Sequence, residues 1–316
     1  MQQLSRRIRH VYKIYRHDGV AAVPWEFLYK LLQPFVRVYE GYQWRRYVYQ
    51  GQTSFQILGS RMTVLQDDQG VSRELAVHRI HEPLATRLLQ GALRPGMTVI
   101  DIGSNIGYYA LFESRLVGQS GRVYAIEPVP RNADLLRHNV RENRRTNVCV
   151  HELAIADRNG TVPMYLSSKS NWHSLLPSFS TRSIAVPART LDDFVSSSKL
   201  SSVDLIRMDV EGYEVSVLAG MERTLKQYGP RLLVELHPHI VGSQAVVEWL
   251  RRLASHGYFD ACVCDQERDT PLRWRLMKPE HMTIPQLMQD TRIVQDKRTL
   301  TVLLCCGRER NRNLAS

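Results

Sequence analysis

From Met97 to Val263 the sequence alternates short apolar runs with longer amphipathic stretches. Met97–Ile102, Arg122–Glu127, Asn147–Ala154, Val203–Asp209, Arg231–Leu236 and Tyr258–Val263 read as buried strands. Tyr108–Val117, Arg131–Asn143, Glu214–Gln227 and Ser243–His256 have the helical period. Parallel strands need a crossover connection, so strands alternating with helices predict an α/β fold: a doubly wound parallel sheet with helices on both faces. Thr299–Cys305 reads as one more strand. It follows a long polar linker, residues 265–298, without a clear crossover helix, and so is free to insert antiparallel. Residues 160–190 break the alternation, with GTVPMYLS and RSIAVPART as strands flanking a Ser-rich loop. Thr190 then caps a short helix. Upstream, residues 53–66 read as two strands around Gly59, and residues 82–93 as a helix with Pro83 in its first turn.

In such a sheet a ligand sits beyond the carboxyl ends of the strands, at the switch point of the topology. The residues ending the predicted strands are Asp101 with the turn Gly103–Gly107, then Glu127, Glu152, Asp209 with Glu211, and Glu235 with His237. One strand-end acid is as well explained by capping the next helix. Five on one edge favour a site. Gly103 and Gly107 permit a tight turn with no side chain between backbone and ligand. Asn105 tolerates unusual backbone angles and offers an amide. Glu127, about twenty residues further on, stands where a carboxylate accepts hydrogen bonds from both hydroxyls of a ribose. The ligand expected is therefore an adenosine. A nicotinamide dinucleotide wants Gly-x-Gly-x-x-Gly beside its pyrophosphate. Here Asn105 occupies the middle position and Asp101 opens the stretch. That acid opposes a pyrophosphate and suits a cation, such as the sulfonium and ammonium of S-adenosylmethionine.

The segments VIDIGSNIGYYAL, VYAIEPVPRNADLLRHNVREN, LAIADRNGTV, ARTLDDF, VDLIRMDVEGYEVSVLAGM and LLVELHPH occur in order. Over roughly residues 75–240, and more loosely to about 306, they resemble the FkbM family of S-adenosylmethionine-dependent methyltransferases. The resemblance implies a class I methyltransferase, Rossmann-like fold with a seven-stranded sheet and an antiparallel last strand. It places the cofactor over Gly103–Gly107, with Tyr108 and Pro128 beside it and Glu127 on the ribose. Glu152, Ala154 and Asp157 would approach the adenine, and Asp101 and Asp209 the methionine part. Asp209-Val210-Glu211-Gly212 matches the family's Asp-x-Glu-Gly signature and turns Asp209 or Glu211 toward the methyl group or the acceptor. The implied reaction is O-methylation of a sugar, glycan or secondary metabolite.

A hydroxyl acceptor must lose its proton as the new bond forms. Asp209, Glu211 and His237 are the candidate bases. His237 titrates near neutrality when unperturbed, yet beside Pro238 it also suits a structural turn. Asp209 serves equally well as a cofactor contact. A metal is not expected at Asp209 and Glu211 unless the turn begins there. Glu82 reads as a carboxylate folded over the cofactor or as an ordinary helix-start acid. Asn171, Trp172, His173 and Ser174 read as acceptor-pocket lining, with Trp172 a flat platform for a sugar, or as an exposed linker.

The chain is thus expected to divide into a basic, aromatic-rich helical extension (1–50), a strand pair and helix (51–94), the methyltransferase domain (95–307) and a polar tail (308–316). The net charge of +11 is concentrated early, with ten basic against three acidic residues in 1–61. With Trp25, Tyr29, Tyr39, Tyr42 and Trp44, that extension suits an anionic membrane surface, or packing on its own domain or a partner helix. No run of roughly eighteen uncharged apolar residues and no signal-peptide pattern is visible. The five cysteines are expected to be reduced, and the protein cytoplasmic and at most membrane-associated. RNA is the rival substrate, but the basic residues cluster away from the predicted catalytic edge and no RNA-binding module appears. A catalytically silent membrane-surface adaptor is the other rival, and intact Asp101, Glu127 and Asp209 oppose it.

Overall fold

The computed structural model describes residues 22–177, 180–267 and 278–307. The helical reading of residues 1–21, loop residues 178–179, the linker centre 268–277 and the tail from 308 lie outside them, as do the side chains of Trp25 and Tyr29. The strands are β1 (Ser54–Ile57), β2 (Ser60–Thr63), β3 (Thr98–Ile102), β4 (Arg122–Ile126), β5 (Val148–His151), β6 (Ala154–Ile155) and β7 (Gly160–Tyr165). They continue as β8 (Ser183–Arg189), β9 (Leu205–Met208), β10 (Arg231–Leu236), β11 (Tyr258–Asp265), β12 (Glu280–Thr283) and β13 (Leu300–Cys306).

The large sheet has the order β12-β11-β13-β10-β9-β3-β4-β5. Strands β5, β4, β3, β9 and β10 are parallel neighbours. The last strand, β13, slots antiparallel between β10 and β11. From β3 the chain steps outward to β5, then returns to the other flank of β3 at β9. That reversal opens the crevice where a ligand belongs.

Side chains of the central strands alternate between two apolar layers, as expected for strands covered on both faces. Ile100, Ile206 and Val234 pack in one layer with Trp249, Leu250 and Leu253 of helix Ser243–Ser255. Val99, Val123 and Leu205 pack in the other with Leu111 of helix Tyr108–Val117 and Leu136 of helix Pro130–Glu142. Each large apolar side chain buried this way contributes about 1.5–3 kcal/mol.

Three expectations are corrected. The sheet has eight strands, because Glu280–Thr283 pairs antiparallel with β11 at the edge, inside the stretch read as irregular linker. The predicted strand Asn147–Ala154 splits: β5 stays in the large sheet, while β6 joins β8 and β7 in a separate three-stranded sheet. The predicted helix Glu214–Gln227 is broken into Glu214–Val217, a 3-10 turn Leu218–Gly220 and Glu222–Tyr228. The break lets Gly220 approach the Ala156 carbonyl, where a Cβ would come within 2.7 Å.

Residues Ala22–Tyr49 form one 28-residue helix. Its C-terminal half is docked: Trp44 is buried, Tyr47 meets Phe55 edge-on at 5.1 Å, and Glu40 lies 2.9 Å from His78 Nε2. Tyr39 and Tyr42 stay exposed. Among the described residues no helix is long and apolar enough to cross a membrane.

Candidate active site

The turn after β3 is tied to its neighbours. The Gly103 and Ser104 N–H groups both donate to the Ile126 carbonyl at the end of β4, each at 3.0 Å. Gly103 has φ +83°, and a Cβ there would lie 2.0 Å from the Asp209 carbonyl oxygen. Only glycine lets the turns after β3 and β9 come so close. Gly107 starts helix Tyr108–Val117 and fits against Leu136, whose Cδ1 a Cβ would meet at 2.5 Å.

Glu127 is 5% exposed at the end of β4. Its Oε2 accepts from the Asn105 N–H at 2.9 Å, and its Oε1 from the Val129 N–H at 3.0 Å. Burial pushes its carboxyl up to about 7, against the opposing pull of those N–H donors.

One cavity opens at the carboxyl ends of these strands. Gly103, Asn105, Tyr108, Glu127, Pro128 and Ala154 line one side of it. Asp209, Glu211, Arg207 and His81 line the other. The Ser-rich loop covers it. Asp68 accepts from the Ser170 N–H at 2.9 Å and its hydroxyl at 2.7 Å, and Ser174 Oγ donates to the Glu211 carbonyl at 2.8 Å. Asn171 and His173 line the cavity from this loop, whereas Trp172 is partly exposed under the Lys169 ammonium, 3.5 Å above its ring. Asn171 Oδ1 is buried without a hydrogen-bond partner.

Arg207, buried in β9, organises the far wall. Its guanidinium lies 3.0 Å from Asp101 Oδ1 and 3.1 Å from Asp209 Oδ2, and stacks on the Tyr109 ring at 3.9 Å. Tyr109 donates to Glu82 at 2.8 Å, so Glu82 packs into this wall. Burial disfavours the charge on Arg207, but Asp101 and Asp209 outweigh it and hold the guanidinium ionised. Next to it, His81 would be lowered by burial, yet Glu74 and Glu82 push it up to about 9.

The turn after β9 carries the second half of the site. Glu214 Oε1 accepts from the Val210 N–H at 3.1 Å and the Gly212 N–H at 3.2 Å, and lies 3.2 Å from His237 Nδ1. His237 Nε2 therefore points to Glu211 at 3.5 Å and Glu235 at 3.6 Å. Asp209 and Glu211 both stand past the end of the strand. β9 ends at Met208 and Glu211 takes φ +51°, so donor atoms of Asp209, Glu211 and His237 all lie within 4.8 Å of one another. Burial would lower His237, but Glu214, Glu211 and Asp209 push it up to about 9. Burial and the Asp209 carboxylate push Glu211 up to about 8.

Other sequence candidates stand apart from the cavity lining. Asp101 faces Arg207, Gly107 seats a helix, and Glu152 lies 2.8 Å from Arg137. His237 reaches the site through Glu211. Asp157 accepts from the Tyr213 hydroxyl at 2.9 Å. Sequence reasoning missed Arg207, His81, Asp68 and Glu214. Its one available signal was an arginine inside the otherwise apolar strand LIRM.

Strand order and crevice together put the protein among the class I methyltransferases, which draw their methyl group from S-adenosylmethionine. The profile of the methyltransferase FkbM domain matches residues 101–259, half of the chain, and the chain belongs to that family. The 2-O-methyltransferase NoeI of Sinorhizobium fredii is 30% identical over 177 residues, covering 50% of this chain and 69% of the relative. The hexuronic acid methyltransferase AglP of Haloferax volcanii is 27% identical over 140 residues, covering 43% of this chain and 54% of the relative. A crystal structure of methyltransferase FkbM from Methylobacillus flagellatus aligns with TM-score 0.42 and 17% identity, over 69% of this chain and 50% of that one. This chain thus spans only half the length of that neighbour. Its own residues suit the cofactor. A buried acceptor without a partner, Asp209 Oδ1 on the cavity wall, fits a ligand that carries donors and positive charge.

Proposed function

We propose that this enzyme methylates a hydroxyl oxygen of a sugar, carried as a saccharide, a glycan or a sugar-bearing metabolite. The observation that carries the reading is the group Asp209, Glu211 and His237 gathered at the cavity edge. An alcohol acceptor needs its proton drawn off as it attacks, and this group, once deprotonated, supplies proton-accepting atoms. The name of one relative supports the oxygen, NoeI being a 2-O-methyltransferase, and that of another supports a sugar acceptor, AglP being a hexuronic acid methyltransferase.

In this reading Glu127 accepts hydrogen bonds from the ribose hydroxyls on the lone pairs its N–H donors leave free. Pro128 and Ala154 wall the adenine. Bound S-adenosylmethionine supplies a methyl group activated by its sulfonium. Arg207 holds Asp209 in place, Glu214 holds His237, and the Ser170–Ser174 loop shields the reacting atoms from water. Alignment is the main contribution of such a site.

We also propose that the helix Ala22–Tyr49 rests on an anionic membrane surface, bringing the enzyme to a membrane-bound acceptor. Its exposed apolar stripe is flanked by the exposed Arg37, Arg45 and Arg46, while Glu40 is turned away to His78.

The test of the acceptor is a survey. Purified protein is incubated with S-adenosylmethionine and neutral saccharides, uronic acids or RNA, and the products are read by mass spectrometry. An alkali-stable methyl ether on a saccharide hydroxyl is expected. An alkali-labile methyl ester, or methylation of RNA alone, overturns the reading.

A further inference from the structure

The group at the turn after β9 is built more like a metal centre than like a free base. Three different donors converge there: a carboxylate from Asp209, a carboxylate from Glu211 and an imidazole nitrogen from His237, all within 4.8 Å of one another. Donors on one octahedral ion stand roughly 3–4 Å apart when bonds are about 2.1 Å, and His237 Nε2 and Glu211 Oε2 are already 3.5 Å apart. Two further observations show that the donors are held ready. Asp209 Oδ1 is buried with no hydrogen-bond partner, because Arg207 takes only Oδ2. His237, its side chain 4% exposed, is fixed by Glu214 at Nδ1, which leaves Nε2 aimed into the set. A carboxylate on the far ring nitrogen is the usual support of a metal-bound histidine.

Glu214 reaches this arrangement by design of the chain rather than by accident of burial. The same oxygen that orients His237 receives the Val210 and Gly212 N–H groups and so shapes the turn that carries Asp209 and Glu211. The local charge points the same way. Asp209, Glu211, Glu214 and Glu235 gather around one histidine, and Arg207 is already shared with Asp101. A cation beside these oxygens favours their ionised forms.

We propose that Asp209, Glu211 and His237 bind one divalent first-row transition ion, and that the acceptor hydroxyl occupies an open position on it. One nitrogen and two carboxylate donors suit Mn²⁺, Fe²⁺ or Zn²⁺ better than Ca²⁺, which takes oxygen ligands throughout. The ion fixes the hydroxyl and makes it more acidic, and the proton passes to the unligated carboxylate oxygen of Glu211. This rests on the reading of the site as an oxygen methyltransferase and says how its proton-removing group works.

The test is binding of Mn²⁺ to the full chain stripped with a chelator, followed by electron paramagnetic resonance and by calorimetry. S-adenosylhomocysteine binding, measured in the same samples, reports the cofactor site separately. One Mn²⁺ per chain is expected, competed by Zn²⁺. Asp209→Asn and His237→Gln should each weaken Mn²⁺ at least about tenfold, the range seen when a metal site loses support. A variant that no longer binds S-adenosylhomocysteine is replaced by Glu211→Gln, judged on the same criterion. Protein that binds S-adenosylhomocysteine but takes up no Mn²⁺ at millimolar concentration overturns the metal site and leaves the methyltransferase reading standing. Uptake that the substitutions leave unchanged overturns it too.

Discussion

Glu127 couples cofactor binding to pH through its own burial. Its carboxyl is pushed up to about 7, so in the free protein it is largely protonated below that value. Ribose hydroxyls donate to the ionised form. Cofactor affinity should therefore be full at pH 8 and decline as pH falls through about 7, with Kd for S-adenosylhomocysteine about tenfold higher at pH 6. Glu127→Gln should bind more weakly and show no such slope. Calorimetry at the three pH values decides it, and a wild-type Kd that is flat with pH removes Glu127 from the ribose. Arg207 makes a second, different claim. It neutralises two carboxylates, one of them the wholly buried Asp101. Arg207→Met strands both charges, and breaking such a pair costs about 3–5 kcal/mol. Urea unfolding should show that loss; a midpoint within error of the wild type would mean the charges are compensated elsewhere. The two residues were unequally visible in the sequence. Glu127 stands at a strand end at a recognisable distance from a glycine turn. Arg207 acts through partners on β3 and past the end of β9, and no spacing along the chain announces that meeting.

Among the elements, the turns after β3 and β9 act as one unit. A Cβ on Gly103 would lie 2.0 Å from the Asp209 carbonyl oxygen, so the cofactor side and the acid side of the cavity are packed directly on each other. Gly103→Ala places a methyl 2.0 Å from that oxygen at φ +83°. It should cost about 2–4 kcal/mol and weaken S-adenosylhomocysteine as well as any ligand of the acid group. Gly51→Ala, also at positive φ but in open space, isolates the backbone strain from the clash. Equal losses in melting temperature for the two variants would show that the close approach does not matter. The long elements were legible because both faces of the central strands are buried, which writes an unbroken apolar run into each. The short ones were not. β6 has two residues and β12 four at a polar edge, too few for any period to emerge. The grouping of Asp209 with Glu211 was not legible either, because it depends on where the strand stops, and β9 ends at Met208.

At the scale of the whole molecule, the helix Ala22–Tyr49 is the one large element with an apolar face left to solvent among the described residues. Glu40, Trp44 and Tyr47, spaced four and three apart, turn toward the body of the protein. Leu31, Phe35, Val38 and Tyr42, spaced four, three and four, lie on the opposite side and are 70%, 72%, 74% and 62% exposed. That periodicity was visible in the sequence; which aromatics faced inward was not, because Trp44 and Tyr42 look alike until the helix is docked. An apolar stripe beside arginines fits the interface of an anionic bilayer, where burial and charge add. The expected result is that the full chain floats with vesicles containing phosphatidylglycerol, floats poorly with phosphatidylcholine alone, and is released as salt rises. Phe35→Asp with Val38→Asp should abolish flotation while S-adenosylhomocysteine binding is retained. The competing occupant of the stripe is a second copy of the chain. Sedimentation separates the two, since a dimer that dissociates in the double variant, together with no flotation of the wild type, assigns the helix to self-association instead of lipid. Should the vesicles win, the acceptor survey narrows as well: a helix lying in the membrane plane holds the cavity at a fixed height above the bilayer, and saccharides on lipid carriers become the first to try.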